Sequence, residues 1–301
     1  MTPRILITGG SGQLGGALAP RMQPLGNVLT PSSSQLDLSQ PESLPAVLDA
    51  HQPDLILNCG AYTAVDRAEE EQALAHTING EAPGVLAQWA AEHGAGFIQI
   101  STDYVFDGER SSPYTEDVPP SPINAYGASK LAGERAVLAI HPGALVLRVA
   151  WLYHHQGANF FRTMLRLAET RDHLTIVSDQ RGAPTACDAV ASAIIPLAQQ
   201  ALKEPLQGGG VYHVPPQGET VWADFARAIF ERREAAGLGG PVTVEDILSK
   251  DYPTAAKRPG YSVLSGEKIA REHGIQLPHW RDQLDSVWAS YLAAEKALDE
   301  K

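Results

Sequence analysis

The sequence predicts an α/β fold, a doubly wound parallel sheet with a smaller, interleaved α/β domain. Three observations carry this. Short apolar runs alternate with helical patterns through the first half of the chain. A glycine-rich turn follows the first of those runs directly. After Val149 the rhythm breaks down and a less regular half begins. Strand–helix alternation implies a parallel sheet covered on both faces. Right-handed crossovers then wind it in both directions.

Five runs read as buried strands: Ile5-Leu6-Ile7, Val28-Leu29, Leu55 to Asn58, Gly96 to Ile100 and Ala144 to Val149. Between them, Glu81 to Glu92 and Ser129 to Ile140 carry apolar residues at helical spacing. In the second half, Phe160 to Glu169, Ala186 to Leu202, Asp224 to Ala236 and Trp280 to Leu298 read as helices. Leu174 to Val177 and Val211 to Val214 are strand-like, and both are expected as late additions to the main sheet. The expected division is residues 1–150 for the sheet domain, with additions near 174–180 and 186–214. Residues 151–173 and 215–301 mainly form the smaller domain.

Composition narrows the function. Of 301 residues, 44% are hydrophobic and 19% charged, ordinary values for a globular chain. The formal net charge of −12 disfavours nucleic acid or an anionic membrane as partner. It leaves room for a small anionic substrate, because a few arginines in one cleft reverse the local field. Cys59 and Cys187 are too few for a disulfide framework. No signal-peptide pattern and no membrane-length apolar stretch is seen, so the cytoplasm is the expected compartment.

The turn Thr8-Gly9-Gly10-Ser11-Gly12-Gln13-Leu14-Gly15 lies between the first strand and a helix. Two overlapping patterns fit it: Gly10, Gly12 and Gly15, or Gly9, Gly12 and Gly15. Missing side chains let the backbone approach a pyrophosphate, whose charge meets the free amides of the helix start. The position suits a Rossmann-type dinucleotide site better than a bare tight turn. Gly9, Gly12, Gln13, Leu14 and Gly15 are the expected cofactor contacts. Where a carboxylate would bind the ribose of NAD, the chain has Pro31-Ser32-Ser33-Ser34. NADPH is therefore modestly favoured, with NADH also accepted. Asp37, with Leu38 beside it, is expected along the adenine edge.

Tyr126 and Lys130 stand one helical turn apart on one face. A phenol has a pKa of about 10, and a nearby ammonium lowers it. Such a pair exchanges a proton with a carbonyl or alcohol beside a hydride carrier. The same spacing also fits a solvated helix face, and the dinucleotide turn upstream favours catalysis. Ser101 to Gly108 follow the fourth strand, at the end of the sheet that faces ligands in open α/β folds. A hydroxyl there, Thr102, can bond a substrate carbonyl.

These residues together resemble the extended short-chain dehydrogenase/reductases, and within them the dTDP-4-dehydrorhamnose reductase family. The match runs through Ile7 to Gly9, Gly12 to Gly15, Asn58, Ala61 to Asp66, Ala68-Glu69, Ser101 to Gly108, Tyr126 to Lys130 and Gly133-Glu134. It continues at Trp151, Asn159-Phe160, Asp179-Gln180, Gly182 to Thr185, Arg258-Pro259, Ser262 and Leu264. The resemblance implies NADPH-dependent reduction of the 4-keto group of dTDP-6-deoxy-L-lyxo-4-hexulose to dTDP-L-rhamnose. It implies Thr102, Tyr126 and Lys130 as the catalytic group. It places Val65, Asp66, Thr102, Asp103, Tyr104 and Trp151 at the substrate, and Gly60, Ala61 and Tyr62 at the cofactor.

Three departures stand out. Some members hold Mg2+ at a dimer interface with a first-helix glutamate, and Ala17 takes that position. No metal ligand is therefore assigned, although a homodimer stays open and Asp188 could stand in for one carboxylate. Asn58-Cys59-Gly60 replaces Asn-Ala-Ala, and Ala150 replaces a hydroxyl residue before Trp151. Two other readings remain at this point. One is a nucleotide-sugar epimerase or dehydratase of the same superfamily, although Asp103-Tyr104 lacks a dehydratase's second carboxylate. The other is a non-catalytic NADP-binding regulatory subunit.

Overall fold

A computed structural model describes residues 2–299. Its centre is a six-stranded sheet built from β1 (Arg4–Thr8), β2 (Asn27–Leu29), β3 (Leu55–Asn58), β4 (Gly96–Thr102), β5 (Leu145–Val149) and the strand Gly210–His213. From one edge to the other the order is β2, β1, β3, β4, β5 and Gly210–His213, with every pair parallel. The winding reverses between β1 and β3, which opens a crevice beyond their C-terminal ends.

Side chains along a strand alternate faces, and the two faces bury separate cores. Ile5 and Ile7 of β1 pack with Leu18 of the helix Gln13–Met22 and with Ile194 of Cys187–Lys203. Leu6 between them packs on the other face, with Leu44, Leu86 and Val137. Strands β3 and β5 are buried along their whole length, as expected for a sheet covered on both sides.

A third core lies outside the sheet. Phe161, Met164, Phe225, Ile229, Trp280 and Leu284 join the helices Phe160–Leu167, Trp222–Ala235 and Trp280–Asp299. The strand His173–Val177 belongs with this group. Expected beside the main sheet, it pairs instead with Thr243–Ile247, parallel, over five residues. Its partner, Thr-Val-Glu-Asp-Ile, is largely exposed and has no apolar run to mark it as a strand. The other expected late strand does join the sheet, where Gly210–His213 lies against β5. Among the described residues, no helix is long and apolar enough to cross a membrane.

Candidate active site

A cavity of about 810 Å³ occupies the crevice between β1 and β3. Its upper wall is the glycine turn. Gly9 has φ +63°, and a Cβ on it would lie 2.8 Å from the Gly60 backbone. A Cβ on Gly15 would lie 2.2 Å from the Gly9 carbonyl, so the helix starts hard against the turn. Gly12 caps that helix in extended conformation without a side-chain bond, and its first turn holds no acidic residue. Free amides and the helix dipole thus face the cavity, an environment suited to a pyrophosphate.

Pro31, Ser33, Asp37 and Leu38 also line this cavity. Asp37 is already occupied. Its Oδ1 accepts from the Ser39 hydroxyl at 2.7 Å and the Ser39 amide at 2.9 Å, which hold the carboxyl below its ordinary pKa.

A buried hydrogen-bond chain links this wall to the opposite one. The Gly60 amide donates to Thr8 Oγ1 (2.9 Å), and Thr8 Oγ1 donates to Asn58 Oδ1 (2.5 Å). Asn58 Nδ2 donates to Gln99 Oε1 (2.7 Å), and Gln99 Nε2 donates to the Ile100 carbonyl (2.8 Å). The same carbonyl receives Lys130 Nζ at 2.6 Å. Strands β1, β3 and β4 are in register, with Thr8 opposite Asn58 and Asn58 opposite Gln99, and this brings the three polar side chains together.

Thr102 ends β4, and Tyr126 and Lys130 lie on the helix Ala125–Ile140. Asn124 caps that helix by accepting from the Gly127 amide at 2.7 Å. A Cβ at Gly127 would lie 2.1 Å from the Tyr104 carbonyl, so the helix start packs directly against the turn after β4. All three catalytic candidates line the cavity. Burial pushes the Tyr126 phenol up to about 12, against a hydrogen bond with Thr102 that works the other way. Burial pulls Lys130 down to about 8, opposed by the Glu134 charge. The expected lowering of Tyr126 by Lys130 is not what this geometry gives. The ammonium is turned to the Ile100 carbonyl, and desolvation governs the phenol. Tyr126 is therefore a protonated phenol at neutral pH, the form a proton donor needs.

Glu134, one turn beyond Lys130, pairs with Arg148 through two bonds of 2.9 and 2.6 Å and accepts from Ser101 at 2.5 Å. Both charges of this pair are buried. It joins the helix to β4 and β5 next to the three catalytic candidates.

The substrate candidates divide. Val65, Thr102, Asp103, Tyr104 and Trp151 line the cavity, as do Gly60 and Ala61. Asp103 is 2% exposed and burial pushes its carboxyl up to about 6, while bonds from Ser262 and Thr102 pull it down. Two expected residues stand back. Tyr62 turns its hydroxyl to Glu71 at 2.5 Å, and its backbone is held by Asn79. Asp66 forms a two-bond pair with Arg258, at 3.0 and 2.7 Å, and also accepts from the Ala256 amide. Arg258 foremost holds Asp66 below its ordinary pKa.

Trp222, Arg171, Lys250 and Lys257 gave little sequence signal. Trp222 stacks on Trp151 with ring centroids 3.5 Å apart and planes within 6°. Trp151 is held at φ +47°, a conformation a bulky side chain rarely adopts. Trp222 lines both the first cavity and a second one of about 850 Å³. Arg171, Lys250, Lys257 and Arg258 also border that second cavity, a basic cluster on a chain of net charge −12. The proline-punctuated stretch that supplies most of them offered no periodicity to read.

The family model described as RmlD substrate binding domain matches residues 3–293. A dTDP-4-dehydrorhamnose reductase of Burkholderia thailandensis is 44% identical over 284 residues, 92% of this chain and 95% of the relative. The chain belongs to the dTDP-4-dehydrorhamnose reductase family. The enzyme of that name from Sinorhizobium fredii is 38% identical, over 98% of this chain and all of its own length. A solved dTDP-4-dehydrorhamnose reductase from Bacillus anthracis, in complex with NADP, aligns with a TM-score of 0.88 at 34% identity. It covers 96% of this chain and 100% of its own. The match runs along nearly the whole length of the chain.

Proposed function

We propose that this chain reduces the 4-keto group of dTDP-6-deoxy-L-lyxo-4-hexulose to give dTDP-L-rhamnose, using NADPH. One observation carries the reading. Thr102, Tyr126 and Lys130 meet in the cavity that begins at the glycine turn, and Trp222 joins that cavity to a basic one. A dinucleotide fits the first and a nucleoside diphosphate the second. Gly9, Gly12, Gln13, Leu14 and Gly15 hold the cofactor's pyrophosphate, and Pro31, Ser33 and Leu38 border its adenosine. The bound cofactor supplies the hydride.

The chain's own residues do the rest. Thr102 Oγ bonds the ketone oxygen. Tyr126 gives its phenolic proton to that oxygen as charge develops on it, and the ketone becomes a secondary alcohol. Lys130, charged below about pH 8 and anchored on the Ile100 carbonyl, supplies the positive charge of the cavity in which the phenolate forms. Solvent returns the proton to Tyr126. The stacked Trp151 and Trp222 flank the sugar, and the basic cluster holds the diphosphate. A cytoplasmic homodimer is the proposed setting.

Following NADPH oxidation with dTDP- and UDP-linked 4-ketosugars side by side tests this. Turnover should be fastest with the dTDP-linked 6-deoxy-4-hexulose. Absence of turnover with any 4-ketosugar, in a chain that binds NADPH, would sink the reading.

A further inference from the structure

The helix Gln13–Met22 and the helix Cys187–Lys203 meet at a corner where the family's implied Mg2+ would sit. The residues present do not fit that ion. Ala17 is 4% exposed, packed in the core, and offers no lone pair. Asp188 Oδ1 is taken by Arg21 Nη2 at 2.8 Å. Mg2+ prefers octahedral oxygen ligands and dehydrates reluctantly, and here a fixed guanidinium stands beside the one carboxylate.

The corner instead holds nitrogen donors. His154 Nε2 lies 3.5 Å from Asp188 Oδ2, the oxygen turned away from Arg21. In a tetrahedral site with ligand bonds of about 2.0–2.1 Å, neighbouring donors are about 3.4 Å apart. His155 follows immediately, its ring centroid 4.0 Å from that of His154. Its Nδ1 is buried and has no hydrogen-bond partner. One ligand atom from each of His154, His155 and Asp188 lies within 4.8 Å of the others, the one such group among the described residues.

We propose that His154, His155 and Asp188 form a binding site for a divalent transition ion of the Zn2+ class. Two imidazoles and a carboxylate suit a borderline ion and leave a fourth position for water. Arg21 occupies the carboxylate's other oxygen, so its charge competes with the ion for Asp188. His154 Nδ1 must then carry the ring proton, which gives up only a long 3.4 Å contact from the Gln156 amide. The site also reaches the cofactor cavity. Asn159 Nδ2 donates to the His154 carbonyl (2.9 Å) and to Gln13 Oε1 (2.7 Å), and Gly157 and Ala158 line the cavity wall. A bound ion therefore clasps this wall segment to the helix Cys187–Lys203.

Calorimetric titration of the full chain with Zn2+ alone, and visible spectra with Co2+ alone, test the proposal. Saturable binding at one ion per chain, undisturbed by excess Mg2+, is expected. The paired substitution H154A/H155A should weaken Zn2+ by more than about ten-fold. Arg21→Gln should tighten it, because the competing cation is gone and Asp188 Oδ1 is freed. A merely structural Arg21–Asp188 pair predicts no such gain. Circular dichroism on each variant separates lost ligands from lost fold, and His155→Gln provides a milder second variant. No saturable Zn2+ or Co2+ binding by the unaltered chain overturns the proposal. So does equal affinity in folded histidine variants.

Discussion

Tyr126 is the one phenol in the cavity placed on the same helix face as a buried lysine, and it bears the proton transfer in this account. Tyr126→Phe should lower kcat by roughly 10²–10⁴-fold while NADPH binding is kept, since general acid catalysis is worth that much. Retention of more than about a tenth of kcat would remove Tyr126 from its role. Lys130 sets the pH dependence. Its pKa is drawn down to about 8, so its charge is present below that pH and lost above it. The kcat/KM profile should therefore fall on the alkaline side near pH 8. A profile flat to about pH 10, the ordinary lysine value, would contradict this. The Tyr126–Lys130 spacing was legible in the sequence because it lies within one helical turn. The direction of the ammonium was not. It follows from the Ile100 carbonyl and from Gln99, whose partner Asn58 in turn holds Thr8, the two contacts made by strand register across 41 and 50 residues.

The glycine turn was readable as an element because each of its requirements is local: a preceding strand, missing Cβ atoms and a following helix. The helix that supports the opposite rim was readable only in part. Glu81 to Glu92 was expected as helix, and the helix Ala82–His93 is found there. Before it, a π-helical turn, Thr77–Glu81, interrupts the run from Gln72. Such turns are rare and often sit at functional sites. This one sends Asn79 inward, where it bonds the Tyr62 amide (2.9 Å), the Tyr62 carbonyl (3.0 Å) and Ser129 Oγ (3.0 Å). Nothing in a helical pattern signals an inserted residue. Asn79→Ala should cost about 1–3 kcal/mol of stability, the penalty for the groups left unpaired. It should also raise the KM for NADPH more than it lowers kcat, because Gly60 and Ala61 lose an anchor. Unchanged KM in a destabilised protein would show that Asn79 serves the fold alone. The strand His173–Val177 makes the complementary point. Its own pattern was legible, but its partner lies seventy residues away in an exposed, acid-rich segment.

At the scale of the whole molecule, an acidic chain carries a basic cavity. The net charge of −12 was readable from composition, but the clustering of Arg171, Lys250, Lys257 and Arg258 was not. These residues come from two separate stretches that the fold brings to one rim. The Asp66–Arg258 pair fixes one of them, so Asp66 acts through Arg258 while standing back from the cavity. The proposed reduction needs a hydride carrier, a proton donor and a grip on an anionic substrate, and the two adjoining cavities offer a place for each. The most direct measurement supplies NADPH deuterated at the transferable hydrogen, together with the dTDP-linked 4-ketosugar, and locates the label in the product by NMR. Deuterium is expected at C4 of the 6-deoxysugar, with one cofactor oxidised for each sugar reduced, and both should be lost in Tyr126→Phe. A sugar altered in configuration but unlabelled, with no net NADPH consumed, would contradict the proposed reduction and point to an epimerase.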